Sequence, residues 1–250
     1  MLKVRVLGFS GGLQAIDTVN TSLAITSDNS SILVDTSGSP FNTLLNIGVN
    51  PNELDGVVLT HAHVDHLYAF PSLIHNLWLS KREKPLVVTG NKETIEKAKD
   101  LCKFFLLDKK KMMEIIWLER ASEIGDISIS TFPLFHRPLV PTNGFTFSCN
   151  LSKISYFPDS AAISPYPSVA INSDIIFHEA GGIDIDRLKL REQGHSSGYL
   201  AGDVAATLMA KKLVLVHLPS SNILRLEILN DAKRRFSNSY LAENKFVYSC

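Results

Sequence analysis

Cysteine is scarce in this chain and follows no pattern. Its three cysteines, Cys102, Cys149 and Cys250, lie far apart in 250 residues and form no C-x-x-C pair. An odd, widely spaced set excludes a disulfide framework and a thiolate metal site, and makes a reducing cytosol the expected compartment. Net charge is missing as well, because 25 Lys+Arg balance 25 Asp+Glu. That balance argues against a surface built throughout to hold nucleic acid, and the short runs Lys109-Lys110-Lys111 and Lys233-Arg234-Arg235 read as solvated faces. No uninterrupted apolar stretch is long enough to cross a bilayer, so no membrane partner is expected. The opening Met1-Leu2-Lys3-Val4-Arg5-Val6-Leu7 is too short and too charged for a secretory signal. No low-complexity linker interrupts the chain, so residues 1–250 are expected to form one domain, with enough apolar residues for one or two packed core layers.

What the chain does have is concentrated in Thr60-His61-Ala62-His63-Val64-Asp65-His66, three imidazoles and a carboxylate within six residues. All four are metal-ligand types. The preceding run Gly56-Val57-Val58-Leu59-Thr60 is apolar and β-branched, so the cluster is expected where a buried strand ends and a loop begins. Three further candidates repeat that placement. Phe132-Pro133-Leu134-Phe135 runs into His136, Ile154-Ser155-Tyr156-Phe157 into Pro158-Asp159, and Leu213-Val214-Leu215-Val216 into His217. Ligands from different strands converge only if those strand ends share one edge. Imidazole and carboxylate without thiolate suit zinc, manganese or iron rather than copper(I) or an iron–sulfur cluster.

Strands are expected at residues 2–7, 22–26, 31–35 and 56–60, set apart by Gly, Ser, Asn and Pro. Amphipathic helices follow at 66–78 and 91–105, the second with Ile95, Ala98, Leu101 or Cys102, and Phe105 on one side, and strands at 85–89 and 114–118 flank it. In the second half, strands are expected at 127–132, 145–149, 154–157, 174–178, 213–216 and 245–248, with helices at 197–211 and 223–236. Strands alternating with helices in two comparable halves predict a four-layer α/β/β/α sandwich.

On these residues the chain resembles the metallo-β-lactamase fold over nearly its full length, and within it the ribonuclease Z-like and cyclic phosphodiesterase-like branch. Leu7-Gly8-Phe9-Ser10-Gly11-Gly12, Asn20-Thr21-Ser22 and Leu33-Val34-Asp35-Thr36 are similar to the family's first hairpins. His61, His63, Asp65, His66, His136, Asp159 and His217 match its seven ligand positions. The resemblance implies two divalent ions, zinc first and manganese or iron as alternatives. His61, His63 and His136 would hold one, Asp65, His66 and His217 the other, and Asp159 would bridge them. Phe177-His178-Glu179-Ala180 and Gly194-His195-Ser196-Ser197 are similar to two narrower signatures that pair a Glu with a catalytic His and point to phosphodiesters. The catalytic expectations are therefore Asp65 as ligand and base, His195 as general acid, and Glu179 orienting the His195 ring and holding it protonated. A cytoplasmic homodimer is also implied.

Members of this branch that mature transfer RNA carry a long arm, in many of them between the equivalents of His136 and Asp159. Only residues 137–158 occupy that interval here, and they must also supply strand 145–149. The expected substrate is therefore a small or cyclic phosphodiester. A ribonuclease Z-type transfer-RNA 3′-processing endonuclease is the second reading. A thioester, lactone or lactam hydrolase, or a non-catalytic metal-binding module, is the third. Among the remaining residues, His75 is expected on a helix face and His178 across its strand from Glu179. Asp35 is a candidate partner for a ligand histidine, and Asn20, Ser37 and Gly38 belong to loops at the site edge. Trp78, Trp117, Phe104 and Phe105 are expected in the core rather than as a base-stacking platform.

Overall fold

The computed structural model describes residues 1–111, 113–136 and 140–250. Residues 137–139, the first of the short interval discussed above, lie outside the described residues.

Two seven-stranded mixed sheets stack face to face. The first contains β1 (Lys3–Gly8), β2 (Ser22–Thr26), β3 (Ser31–Val34), β4 (Gly56–Leu59), β5 (Leu86–Gly90) and β6 (Ile115–Leu118). The second contains β7 (Glu123–Ile124), β8 (Ile127–Leu134), β9 (Thr142–Cys149), β10 (Ser152–Phe157), β11 (Ile175–Glu179), β12 (Lys212–Val216) and β13 (Ser239–Leu241). The last strand, β14 (Val247–Ser249), returns to the first sheet and pairs with β1. Helices α1 (Pro40–Asn46), α2 (Val64–Leu67), α3 (Phe70–Leu79) and α4 (Lys92–Phe104) belong to the first half, and α5 (Arg187–Glu192), α6 (Gly198–Thr207) and α7 (Asn222–Lys233) to the second. One apolar core fills the space between the sheets and under α6 and α7. A second, with Leu33, Val57, Phe70, Leu73, Ile74 and Ala98, joins the first sheet to α3 and α4. This is the expected four-layer sandwich. No helix among the described residues is long and apolar enough to cross a membrane.

Strand direction brings the candidate ligands to one edge. Strands β3 and β4 are parallel, as are β10, β11 and β12. Since β8 is antiparallel to β9 and β9 to β10, β8 runs the same way as β10. The carboxyl ends of β8, β10, β11 and β12 therefore lie side by side, carrying His136, Asp159, Glu179 and His217. Every strand expected in the sequence is present to within about three residues at either end.

Several helical expectations are corrected. The single helix at 66–78 is two: α2 begins at Val64, inside the motif, and α3 begins again at Phe70 with Pro71 in its first turn. Proline has no N–H to bond back to the carbonyl of residue 67, so the first helix ends and a second starts. Helix α6 stops at Thr207, and Met209 turns left-handed (φ 52°), so the expected run to 211 is too long. Short elements α1, α5, β7 and β13 carry too few residues for a periodic signal. Phe104 and Phe105 are not core residues: they are 78% and 55% exposed. The stripe Ile95, Ala98, Cys102 points inward along α4, but the helix ends at Phe104, one residue before Phe105 could continue that face, and Leu106 at φ 56° then turns the chain. Trp78 and Trp117 are half-buried.

Arg82 anchors the approach to the site, and no sequence pattern announced it. The side chain is 5% exposed and donates to five carbonyls: Lys84 O (2.8 Å), Pro51 O (2.9 Å), Asn52 O (2.7 Å), Leu54 O (2.6 Å) and Pro85 O (2.8 Å). It ties together the segments that lead into β4 and β5. A lysine has one donor centre instead of a planar fork and cannot span them. Both Arg82→Ala and Arg82→Lys should lower unfolding free energy, the alanine variant by about 2–4 kcal/mol because buried acceptors lose their donors. Urea denaturation monitored by circular dichroism measures the loss; an unchanged midpoint for Arg82→Ala would refute the anchoring role.

Candidate metal centre

Two groups of ligand atoms face each other at this edge, sharing one carboxylate. His61, His63, His136 and Asp159 form the first; Asp65, His66, Asp159 and His217 form the second. Within each group, every ligand atom lies within 4.8 Å of the others. In the first, His63 Nδ1 is 3.0 Å from His61 Nε2 and 3.0 Å from His136 Nε2, while Asp159 Oδ2 stands 3.8 Å and 3.9 Å from the same two Nε2 atoms. In the second, His66 Nε2 is 3.3 Å from Asp159 Oδ1 and 3.5 Å from Asp65 Oδ2. His217 Nε2 is 3.2 Å from Asp159 Oδ2 and 3.5 Å from Asp65 Oδ2. Four ligands around zinc at about 2.0–2.1 Å lie roughly 3.3 Å from one another. Most separations, 3.0–3.5 Å, bracket that value, and Asp159 Oδ2 stands farther from His61 and His136. All seven residues expected from the sequence are brought together.

The hydrogen bonds behind the histidines decide which nitrogen faces inward. His66 Nδ1 donates to Asp35 Oδ2 (2.8 Å), so its lone pair is on Nε2. Thr60 Oγ1 donates to the same carboxylate oxygen (2.9 Å), which leaves Thr60 Oγ1 to accept from His61 Nδ1 (3.0 Å). His136 Nδ1 donates to the Gly194 carbonyl (2.8 Å). Three imidazoles thus turn Nε2 toward one small volume, where His66 Nε2 and Asp159 Oδ1, 3.3 Å apart, are buried with no other hydrogen-bond partner among the described residues. Converging lone pairs repel one another unless a cation lies between them, so the donor set is consistent with a dinuclear metal site.

Burial, reinforced by repulsion from His66, keeps His61 well below the ordinary imidazole value, and burial likewise lowers His136. Against its own burial, Asp159 is held well below the usual carboxylate range by His217 and His66. His66 is driven the other way: despite burial, Asp159 and Asp35 raise it well above normal. A cation at His66 Nε2 would displace that proton.

Local backbone geometry serves the same end. Asp35 and His217, each just past a strand, adopt left-handed φ values of 57° and 52°, uncommon for residues other than glycine and frequent at functional sites. Gly194 follows α5 at φ 77°, and a Cβ there would come within 2.4 Å of the His136 carbonyl oxygen. Only glycine lets that loop close on His136. Gly11 packs on the His217 ring, where a Cβ would come within 3.2 Å of Cε1, and its loop is held by Asn20 Nδ2 donating to Gly11 O (2.6 Å). Ser37 Oγ in turn donates to Asn20 O (2.6 Å), and Gly38 N to the Tyr68 hydroxyl, so the residues expected at the site edge brace its rim.

Glu179 and His195 stand beside this cluster. His195 Nδ1 is 3.3 Å from Glu179 Oε1, and that oxygen also accepts from Ser196 N (2.7 Å) and Ser160 N (3.2 Å). The His195 ring stacks on His217 (centroids 5.4 Å apart, 12° between planes) and meets the His136 ring edge-on at 5.0 Å. A cleft of about 250 Å³ opens against His195 and His217, bounded also by Gly11, Gly12, Leu190 and Gln193, and among the described residues no Lys or Arg lines it. His75 is exposed on α3. His178 is buried across the strand from Glu179. Thr60, the Gly194 carbonyl and the amides of Ser160 and Ser196 escaped sequence reasoning, since backbone donors and acceptors leave no residue-type signature.

The geometry agrees with comparisons to known proteins. Ribonuclease Z from Methanothermobacter thermautotrophicus is 22% identical over 287 aligned positions that cover 94% of this chain and 92% of the relative. Among solved structures, the metallo-β-lactamase fold protein YhfI from Bacillus subtilis superposes with a TM-score of 0.84 at 23% identity, covering 99% of this chain and 98% of that one. Human tRNase Z, short form, gives 0.81 at 20% identity over 99% and 98%. A diphosphatase from the PhnP family gives 0.78 at 17% over 100% and 98%. A model of the β-lactamase superfamily domain matches residues 30–218. With that match over most of its length and a four-layer sandwich that gathers histidines and aspartates at one edge, the chain belongs to the β-lactamase superfamily domain family, with the metallo-β-lactamase fold.

Proposed function

We propose that this protein is a metal-dependent phosphodiesterase that hydrolyses small or cyclic phosphodiesters. His61, His63 and His136 would hold one divalent ion, Asp65, His66 and His217 the other, and Asp159 both, with zinc favoured by the ligand set and its spacing. When bound, such ions supply an activated water and neutralise charge on phosphoryl oxygens. Asp65, half-buried with Oδ2 at 3.5 Å from both His66 and His217 Nε2, is assigned as ligand and as acceptor of the water's proton.

The Glu179–His195 pair beside the ligand cluster carries the reading. An alkoxide is a poor leaving group, and a positioned acid that protonates it contributes about 10²- to 10⁴-fold. With His195 Nδ1 turned to Glu179, Nε2 is the nitrogen on the far side of the ring and is the one assigned to carry that proton. Two amides and the imidazole share Glu179 Oε1, so the carboxylate fixes the ring's orientation.

Small substrates are favoured by three observations. Among the described residues, no Lys or Arg lines the cleft at His195 to hold a polyanion. Strands β9 and β10 occupy residues 142–149 and 152–157, which leaves no length for an arm between His136 and Asp159. The archaeal ribonuclease Z aligns over 287 positions against a chain of 250, so it carries segments with no counterpart here. Transfer-RNA processing is the second reading, favoured by that same relative's name.

Elemental analysis of protein purified without chelator should find two divalent ions per chain, and Asp159→Ala should lose both. One ion or none after adding zinc or manganese would overturn the assignment. Because metal must displace the proton that Asp159 and Asp35 hold on His66 above its ordinary range, zinc affinity should weaken steadily as pH falls from 8 to 6, with protons released on binding near neutrality. Calorimetry in buffers of different ionisation enthalpy counts them.

His195→Ala and Glu179→Ala should keep fold and metal yet lose activity by about 10²- to 10⁴-fold on alkyl diesters, and far less on p-nitrophenyl diesters, whose leaving group departs unprotonated. The double variant should lose little more than His195→Ala. Equal losses on both leaving groups would assign His195 to charge stabilisation instead. Cyclic and small diesters should be cleaved at least as well as a pre-transfer-RNA; a strong preference for the RNA would establish the second reading.

A further inference from the structure

Where α4 ends, three large apolar residues in a row stand on the surface. Phe104, Phe105 and Leu106 are 78%, 55% and 62% exposed. Single apolar side chains scattered over a surface need no explanation, but a consecutive exposed run marks a contact. The two phenylalanine rings meet edge-on with centroids 5.0 Å apart, so they form one apolar unit. The left-handed turn at Leu106 puts that unit at the corner between α4 and the segment leading to β6.

The apolar surface continues toward the metal centre. A groove of about 400 Å³ is lined by Phe105 together with Pro71, His75 and Tyr68. The Tyr68 hydroxyl accepts from Gly38 N and from Gln14 Nε2 (3.2 Å), both on the rim of the centre. Val64 is exposed and lies one helical turn before Tyr68, so the strip runs on into the ligand motif itself.

Lysines border the run. Lys103 precedes it, and Lys109, Lys110 and Lys111 follow, all exposed. Residues 99–111 hold five lysines against two aspartates in a chain whose formal charge is zero, so the positive excess is local. Asp100 and Asp108 pair with Lys103 (3.3 Å) and Lys109 (3.2 Å), whereas Lys99 and Lys110 lie over the Trp117 and Trp78 rings at 5.3 Å and 4.7 Å. Lys99, Lys103 and Lys110 also edge a cavity of about 290 Å³ whose apolar wall includes Ile74, Leu107 and Trp117.

We propose that this face docks on an anionic lipid surface, with Phe104, Phe105 and Leu106 entering the acyl boundary and the flanking lysines meeting the headgroups. An apolar tip set between ammonium groups is complementary to acyl chains lying beneath negative charge. Lysine stems can follow the tip inward while their ammonium groups stay at headgroup level. A second copy fits less well, because a contact about a two-fold axis would bring these lysines against their own counterparts. Docking of this kind needs no spanning segment. The strip through Tyr68 and Val64 keeps the rim of the metal centre adjoining the docked face.

Flotation of the full-length protein with phosphatidylcholine vesicles, with or without about 30% phosphatidylserine, tests the proposal. Binding should be at least about tenfold tighter to the anionic vesicles and should weaken as salt is raised. The chain's two tryptophans, Trp78 and Trp117, border the face, so lipids brominated in their acyl chains should quench the emission on docking. Phe104→Ser combined with Phe105→Ser should weaken binding at least about tenfold and remove the quenching. Lys109→Glu, Lys110→Glu and Lys111→Glu together should erase the preference for anionic vesicles. All five positions are exposed, and the circular dichroism should not change. Absent binding, equal binding to both kinds of vesicle, binding without quenching, or binding that survives the serine changes would overturn the proposal. A dimer in sedimentation equilibrium that the serine changes dissolve would assign the face to a second copy instead. Tighter capture by single-stranded poly(U) than by vesicles, lost in the glutamate variant, would assign it to nucleic acid and equally overturn the lipid surface.

Discussion

Five imidazoles and two carboxylates converge on one small volume, crowding ring nitrogens against one another and against carboxylate oxygens. His66 Nε2 and Asp159 Oδ1 lie there buried 3.3 Å apart with no other partner among the described residues, while His63 Nδ1 stands 3.0 Å from both His61 Nε2 and His136 Nε2. Such an arrangement is costly by itself and is consistent with a site for cations. Much of the surrounding architecture can be read as keeping it assembled. Parallel strands deliver the ligands to one edge, Asp35 and the Gly194 carbonyl lock the tautomers, and glycines at 11 and 194 permit close approach of the loops.

Asp35 is the centre of that support. Fully buried, it accepts from Thr60 N (2.8 Å), Thr60 Oγ1 and His66 Nδ1, so one carboxylate sets the ring orientation of His66 directly and of His61 through Thr60. Glu179 plays the corresponding part on the other sheet, gathering Ser160 N, Ser196 N and His195 around one oxygen. Each sheet therefore contributes a buried acid just behind the ligands. A carboxylate in such a place carries an electrostatic penalty that only several donors offset, which is why both are surrounded by hydrogen-bond donors.

Much of the fold was legible in the chain. Short apolar β-branched runs bounded by Gly, Asn and Pro mark strands whatever their neighbours, and the seven ligand positions stood out because their side chains have few other reasons to recur at strand ends. Where short-range pattern failed, a specific contact or backbone bend prevailed. Pro71 split one expected helix into α2 and α3, and the end of α4 at Phe104 left Phe105 on the surface although it continued an apolar stripe. Arg82 showed no sequence signal because its partners are five backbone carbonyls, which every residue has.

The sequence by itself determined the candidate ligand types, their placement after strands, the alternation that puts His178 and Glu179 on opposite faces, and the short interval, residues 137–158, between His136 and Asp159. Those properties depend on residue chemistry and on period-2 geometry, both local. Tertiary structure alone decided which nitrogen of each histidine faces the centre, since His66 is set by Asp35, 31 residues away, and His136 by Gly194, 58 residues away. It alone decided that His195 stacks on His217 within reach of Glu179. Tautomers and ring stacking arise from contacts between distant segments, and no local pattern encodes which segments will meet.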